Sequence, residues 1–318
     1  RGRDMADNQP GSVSGGGPER EPLWIRILEF PLVALVVATV LFITASWVAY
    51  RLLEYQPGMS ADMRVLAEAS LNIGLLWVVY KLVIRNLGDK PHDDLPLKGA
   101  VTLTLQGLGI GAALFGAVVA IAALTGAYRI VGDGGTSGLI AGLVSFALLP
   151  GFREELLFRG ILFRWLEEFG GSWFALAVTS ALFGLAHIFN PNATWWSSFA
   201  IAVEAGVLLG AAYMLTRSLW VPIGLHAAWN FTQYALDVPV SGIDSNGLVD
   251  ARLQGPAWVS GGEFGLEGSV IALALATGLG IWMLVKAKQR GLIYGPMWSR
   301  EGALTFPKTT SLLSYKKE

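Results

Sequence analysis

The amino-acid sequence predicts an all-α, polytopic integral membrane protein with about eight transmembrane helices around a buried polar cavity. Three observations carry that reading. Apolar residues make up 53% of the 318-residue chain and charged residues only 15%, where a soluble domain carries about 25% charged residues. Several windows exceed the roughly 18 apolar residues that a spanning helix needs. In a bilayer only helices or closed barrels satisfy the backbone, and runs this long fit helices. With a formal net charge of −1 and no basic patch, nucleic acid is not an expected partner. The chain has no cysteine, which excludes disulfides, thiolate metal sites and a cysteine nucleophile.

In chain order, residues 1–22 are rich in Gly, Ser and Pro and read as a disordered leader. Residues 23–286 read as a single transmembrane helical domain, and 287–318 as a polar cytoplasmic tail. The apolar runs place candidate spans at about 28–50, 66–84, 99–124, 138–163, 173–189, 196–215, 219–236 and 269–285. Turn-rich segments such as "GDGGTSG" (132–138) and "NPNAT" (190–194) separate them. The one long connection, 237–268, is too polar to span. Lys and Arg set the orientation. With the N-terminus in the cytoplasm, the inside segments hold Arg20, Arg26, Lys81, Arg85, Lys90, Lys98, Arg164, Arg217, Lys286, Lys288 and Arg290, and the outside loops Arg51, Arg64, Arg129 and Arg252. That is eleven against four, so both termini are expected inside.

Ionisable side chains within spans are functional candidates by default, because each is costly in hydrocarbon. The fourth span carries "PGFREELLFRG" (150–160), with Arg153, Glu154, Glu155 and Arg159 in one apolar run. Glu155 and Arg159 are four apart with the acid first, the favourable order for a helical ion pair. Glu154 points about 100° away and has no such partner. The fifth span contains "FGLAH" (183–187) and the seventh "HAAWN" (226–230), so Phe183 and His187, and likewise His226 and Asn230, share a helix face. His92, in "KPHDDLP", reads as a solvated loop residue.

Depths can be compared through the turn at Gly170–Gly171. Glu154 lies sixteen residues before it and His187 sixteen after, so the two are expected level across an antiparallel hairpin. Arg164, Glu167 and Glu168 are expected to project into the cytoplasm. Taking Arg164 and Arg217 as boundary markers, Glu154 and His226 fall at similar depth at about 1.5 Å per residue. Three helices can thus deliver Glu154, His187, His226 and Asn230 to one cavity. A carboxylate beside a histidine can take a proton from water and pass it to a leaving group. A second histidine with an asparagine amide can donate hydrogen bonds to a developing oxyanion. Glu154, His187 and His226 are equally a plausible first shell for a divalent metal such as zinc, and the residues do not choose between these chemistries. The chain lacks HExxH, GxGD and, within a span, GxSxG.

"EELLFR" (154–159), "FGLAH" and "HAAWN" resemble, in order and spacing, the EExxxR, FxxxH and HxxxN motifs of the CPBP family, the CAAX-processing and bacteriocin-processing (Abi) intramembrane proteases. "TRSLWVPIGLHAAWNF" (216–231) is similar to the bacterial branch. The resemblance covers about 139–236. It implies a multi-helix bundle around a water-filled cavity open to the cytoplasm, in a bacterial inner membrane. It also implies that Glu154 and His187 activate water, that Glu155 and Arg159 shape and charge-balance the site, and that His226 and Asn230 hold the oxyanion. The implied partner is a peptide or membrane-protein substrate. A metalloprotease and a metal-free glutamate protease both stay open. Glu204, in the sixth span, departs from the pattern and either joins the site or hydrogen-bonds to a neighbouring helix. Two other classes compete with the enzyme: a non-proteolytic immunity or scaffold protein of the same fold, and a proton-coupled transporter.

Overall fold

The computed structural model describes residues 22–54, 58–88 and 92–301. Residues 1–21 of the expected leader, Lys90 and tail residues 302–318 lie outside the described residues. The remainder is overwhelmingly helical. A short α1 (Leu23–Glu29) leads into α2 (Pro31–Glu54), α3 (Ala61–Leu82) and α4 (Ala100–Leu124). The fourth expected span begins with α5 (Leu139–Gly142) and continues through a π-helical segment, Leu143–Leu148, into α6 (Leu149–Glu155). A second π-helical segment, Leu156–Phe163, then joins α6 to α7 (Arg164–Gly170). After Gly171 come α8 (Ser172–Ala186), α9 (Trp195–Ile201), a third π-helical segment (Ala202–Gly206) and α10 (Val207–Thr216). α11 (Trp220–Ala235), α12 (Ala257–Ser260) and α13 (Val270–Gln289) complete the bundle.

Among the described residues six helical stretches are long and apolar enough to cross a membrane by length and composition: Pro31–Glu54, Ala61–Asn86, Ala100–Leu124, Ser172–Phe189, Trp195–Thr216 and Val270–Gln289. The other two expected spans are helical too. One carries Arg153, Glu154, Glu155 and Arg159, and the other, α11, is only 16 residues long. The sequence reading did not anticipate an antiparallel two-stranded ribbon. It pairs β1 (Tyr128–Asp133) with β2 (Val249–Leu253), with a bulge between Ile130 and Gly132. β2 lies in the connection read as too polar to span.

The outer helices bury small residues and expose large ones. α2 buries Ala34, Ala38, Ala45 and Ala49 and turns Val36, Val40, Ile43 and Trp47 outward. That is the reverse of a water-soluble helix and suits lipid outside with close backbone approach inside. In the apolar stretch of Trp195–Thr216, 72% of residues are buried, against 28–39% in the other five, which sets α10 in the interior. α11 is buried continuously from Val221 to Asn230. Glycines let α4 lie directly against it. A Cβ on Gly107 would collide with the Val221 carbonyl, one on Gly111 with the Leu225 carbonyl, and one on Gly224 with the Thr104 carbonyl. This contact holds the helix that carries His226 and Asn230.

One end of the bundle is tied by buried charges that the sequence reading sends into solvent. Arg164 and Glu167 are buried, contrary to that expectation, and so is the boundary marker Arg217. Arg217 pairs with Glu167 and also donates to the Leu292 carbonyl. Arg164 donates to the carbonyls of Arg85 and His92 at 3.2 and 3.3 Å. Asp94 accepts from the hydroxyls of Tyr80 at 3.0 Å and Tyr213 at 2.7 Å. His92 is not a free loop residue, since its Nε2 lies 2.9 Å from Asp94. Burial alone would raise the Asp94 carboxyl, but the charges of His92 and Arg164 and the bonds from His92 and Tyr213 hold it below its ordinary value.

The glycine contact yields a paired test on α4. Gly111→Ala is expected to destabilise the protein by about 1–3 kcal/mol through overpacking. Gly109→Ala, whose Cβ meets nothing within 4 Å, is expected to be neutral or to stabilise by up to about 1 kcal/mol through helix propensity. Thermal unfolding of both variants in one detergent reads the difference, and equal effects would contradict the close approach.

Candidate active site

The four charges of "PGFREELLFRG" meet three different environments. Arg153 is exposed, Glu154 is half-buried, and Glu155 and Arg159 are fully buried. Arg159 Nη1 donates to Glu155 Oε1 at 2.8 Å, so the expected i, i+4 pair forms. The same Oε1 is 2.8 Å from His226 Nδ1, which joins α6 to α11. Arg159 uses its other terminal nitrogen on the carbonyls of Ala205 and Gly206, at 3.2 and 3.1 Å. Its guanidinium also lies 4.8 Å from the centre of the Phe183 ring. Four segments therefore converge on one buried ion pair.

Phe183 is a platform that sequence reasoning had named only as a motif end. Its ring packs edge-on to Phe158 at 4.8 Å, lies 4.8 Å from the His187 ring and 6.1 Å from that of His226. Phe158 is twelve residues before Gly170 and Phe183 twelve after Gly171, so their contact bears out the antiparallel hairpin at this level. The next turn outward carries Glu154 on one side and His187 on the other.

Each remaining site residue is fixed by one bond that leaves a second polar atom available. His187 Nδ1 is 2.7 Å from the Phe183 carbonyl. A carbonyl only accepts, so Nδ1 carries the proton and Nε2 presents a lone pair. The Nδ1 of His226 donates to the Glu155 carboxylate, which makes Nε2 its outward atom. Asn230 Nδ2 donates to the Phe146 carbonyl at 2.9 Å, leaving the second amide proton for another acceptor. Among the described residues no hydrogen bond or ion pair engages Glu154, although its charge acts on both Arg159 and His226.

His187, His226 and Asn230 line one cavity of about 360 Å³, open mouth included. Glu154 is not among the cavity's lining residues. Two further carboxylates are. Glu204 lines the cavity, and among the described residues neither of its oxygens meets a hydrogen-bond donor. Glu267 was missed, because it falls in the connection read as a simple loop. Its carboxylate accepts from Trp229 Nε1 at 2.7 Å, Gln233 Nε2 at 2.9 Å, and the Ser241 amide and hydroxyl at 2.9 and 2.8 Å. The pairing of Trp229 and Gln233 one turn apart on α11 was the available signal. Among the described residues no three His, Asp or Glu side chains converge as metal ligands. Glu154, His187 and His226 accordingly form no such group in this arrangement.

Arg159→Lys keeps the charge but loses the planar fork that reaches Glu155 and two carbonyls together. It is expected to lower stability by about 1–3 kcal/mol, read by thermal unfolding, and an unchanged melt would contradict the convergence on Arg159.

No curated protein and no solved structure matches the chain. Residues 136–232 match the family model of type II CAAX prenyl endopeptidase Rce1-like proteins, and this segment contains Glu154, Glu155, Arg159, His187, His226 and Asn230. That segment is similar to the CAAX intramembrane protease family, and together with the six long apolar helical stretches it points to a multi-pass membrane protein.

Proposed function

We propose that the protein is an intramembrane endopeptidase that hydrolyses a peptide bond with water activated by Glu154 and His187. The observation that carries the reading is the anchoring of His187, His226 and Asn230, each by one hydrogen bond from behind. His187 presents an accepting Nε2, while His226 and Asn230 keep polar atoms toward the same cavity after each has been anchored from behind. Glu154, with no partner among the described residues, is the carboxylate free to act, while Glu155 is committed to Arg159 and His226.

In the reaction, Glu154 accepts a proton from water while His187 Nε2 orients the attacking oxygen. The water oxygen bonds to the carbonyl carbon, and negative charge develops on the carbonyl oxygen. Asn230 donates its second amide proton to that oxygen. His226 donates from Nε2 as an imidazolium, with Glu155 as its fixed counter-ion at Nδ1. The tetrahedral intermediate collapses by breaking the C–N bond, and the proton held on Glu154 passes to the leaving amine. Within the proposed set, the carboxylates of Glu154 and Glu155 stand against the Arg159 guanidinium and the protonated His226 ring. The substrate is a membrane-associated or membrane-accessible peptide, and the lysine and arginine distribution supports an inner membrane with both termini cytoplasmic.

Cleavage of a peptide library by the purified, reconstituted protein tests the reading. Glu154→Gln is expected to lower kcat/KM by about 10²–10⁴-fold with an unchanged melting temperature. Equal cleavage by wild type and variant would sink the role of Glu154.

A further inference from the structure

Glu204 is a buried acid that neither the fold nor the proposed hydrolysis uses. The other buried carboxylates among the described residues are matched: Asp94 by two tyrosines, Glu155 by Arg159 and His226, Glu167 by Arg217 and Ser172, and Glu267 by four donors. Glu204 is fully buried too, yet neither of its oxygens meets a donor among the described residues. Glu267 bears on it with like charge and has no free oxygen to share a proton. A carboxyl buried without a partner either keeps its proton or takes a counter-charge that the chain itself does not provide.

The surroundings specify what brings that charge. Glu204 shares its cavity with His187, His226 and Asn230, so whatever it binds lies beside the reacting bond. The walls between these polar groups are apolar, built from Ile201, Leu208, Leu209, Leu225 and Ala276. Counted out to its open mouth, the empty space is about 360 Å³, and its enclosed part is narrow. It suits one long side chain rather than a peptide segment. An apolar shaft with an anion on its wall fits a ligand with a methylene stem and a cationic head. It does not fit a prenyl group, which would leave the carboxylate unmatched. The backbone here is also fixed, because the carbonyls of Ala205 and Gly206, directly after Glu204, are held by Arg159.

We propose that Glu204 is the specificity-determining anion of a subsite that takes a lysine or arginine side chain of the substrate, with the methylenes along the apolar wall and the cation on the carboxylate. This rests on the protease reading, and its test has two arms so that the two can fail separately. In the first, n-butylammonium and 1-butanol are titrated into wild type, Glu154→Gln and Glu204→Gln while thermal unfolding is followed. The amine is expected to raise the melting temperature of wild type and Glu154→Gln but not of Glu204→Gln, and butanol to make no such distinction. In the second, peptides carrying lysine, arginine or norleucine at each position are compared as substrates. At one position lysine or arginine is expected to be preferred over norleucine by at least about tenfold, as a charge-assisted hydrogen bond supplies, and Glu204→Gln is expected to bring the ratio close to one. Glu204→Met, a neutral side chain of similar length, repeats both arms if the glutamine variant does not fold. Equal stabilisation of wild type and Glu204→Gln by the amine, or a lysine-to-norleucine ratio that the substitution leaves unchanged, would overturn the proposal. Amine binding that depends on Glu204, with no peptide cleaved by wild type, would keep the cation site and overturn proteolysis.

Discussion

Glu155 Oε1 receives two bonds of 2.8 Å, one from Arg159 on its own helical run and one from His226 on α11. Much of the site depends on that atom. A buried ion pair contributes little net stability, because desolvation offsets most of the attraction, but removing one partner leaves an uncompensated charge and is strongly destabilising. Such a pair therefore acts as a constraint on geometry. It fixes the rotation of α11 about its axis, and with it the direction in which His226 and Asn230 face.

The constraint spreads through helical irregularities. Three π-helical segments surround the site, at Leu143–Leu148, Leu156–Phe163 and Ala202–Gly206. A π-turn shifts the backbone ladder by one residue, which opens carbonyls to donors from outside the helix. Asn230 takes the carbonyl of Phe146 in the first, and Arg159 takes those of Ala205 and Gly206 in the third. Arg159 itself lies in the second. Side chain and backbone distortion are thus matched in two of the three: the first and third irregular turns are each met by a buried donor from a neighbouring helix. Glu204, within the third segment, is the member of this set whose side chain is left for something outside the chain.

Much of this was legible in the residues. The spacing of the three motifs placed Glu155 with Arg159 and set His226 and Asn230 on one helix face, and the antiparallel hairpin expected at Gly170–Gly171 agrees with the contact of Phe158 and Phe183. The charges at the bundle's end were not legible. Arg164, Glu167 and Arg217 look like ordinary interfacial residues in a linear chain, and only tertiary contacts from Arg85, Ser172 and Leu292 bury them. His92 was misjudged for the same reason, since its partner Asp94 is shaped by two tyrosines more than ten residues away. The π-segments leave little periodic trace, because each shifts a largely apolar helix by a single residue. Glu267 was hidden by its place in a polar connection, although its four donors make it as ordered as any residue in the core.

The division of labour between two adjacent glutamates is the central claim, and the coupling between Glu155 and His226 measures it most directly. A double-mutant cycle with Glu155→Gln and His226→Gln, read by unfolding free energy in detergent, isolates that term. A coupling energy of about 1.5–3 kcal/mol is expected for a buried, charge-assisted bond in contact geometry. A coupling near zero would mean that Glu155 does not hold His226, and would contradict the arrangement on which the proposed oxyanion site depends.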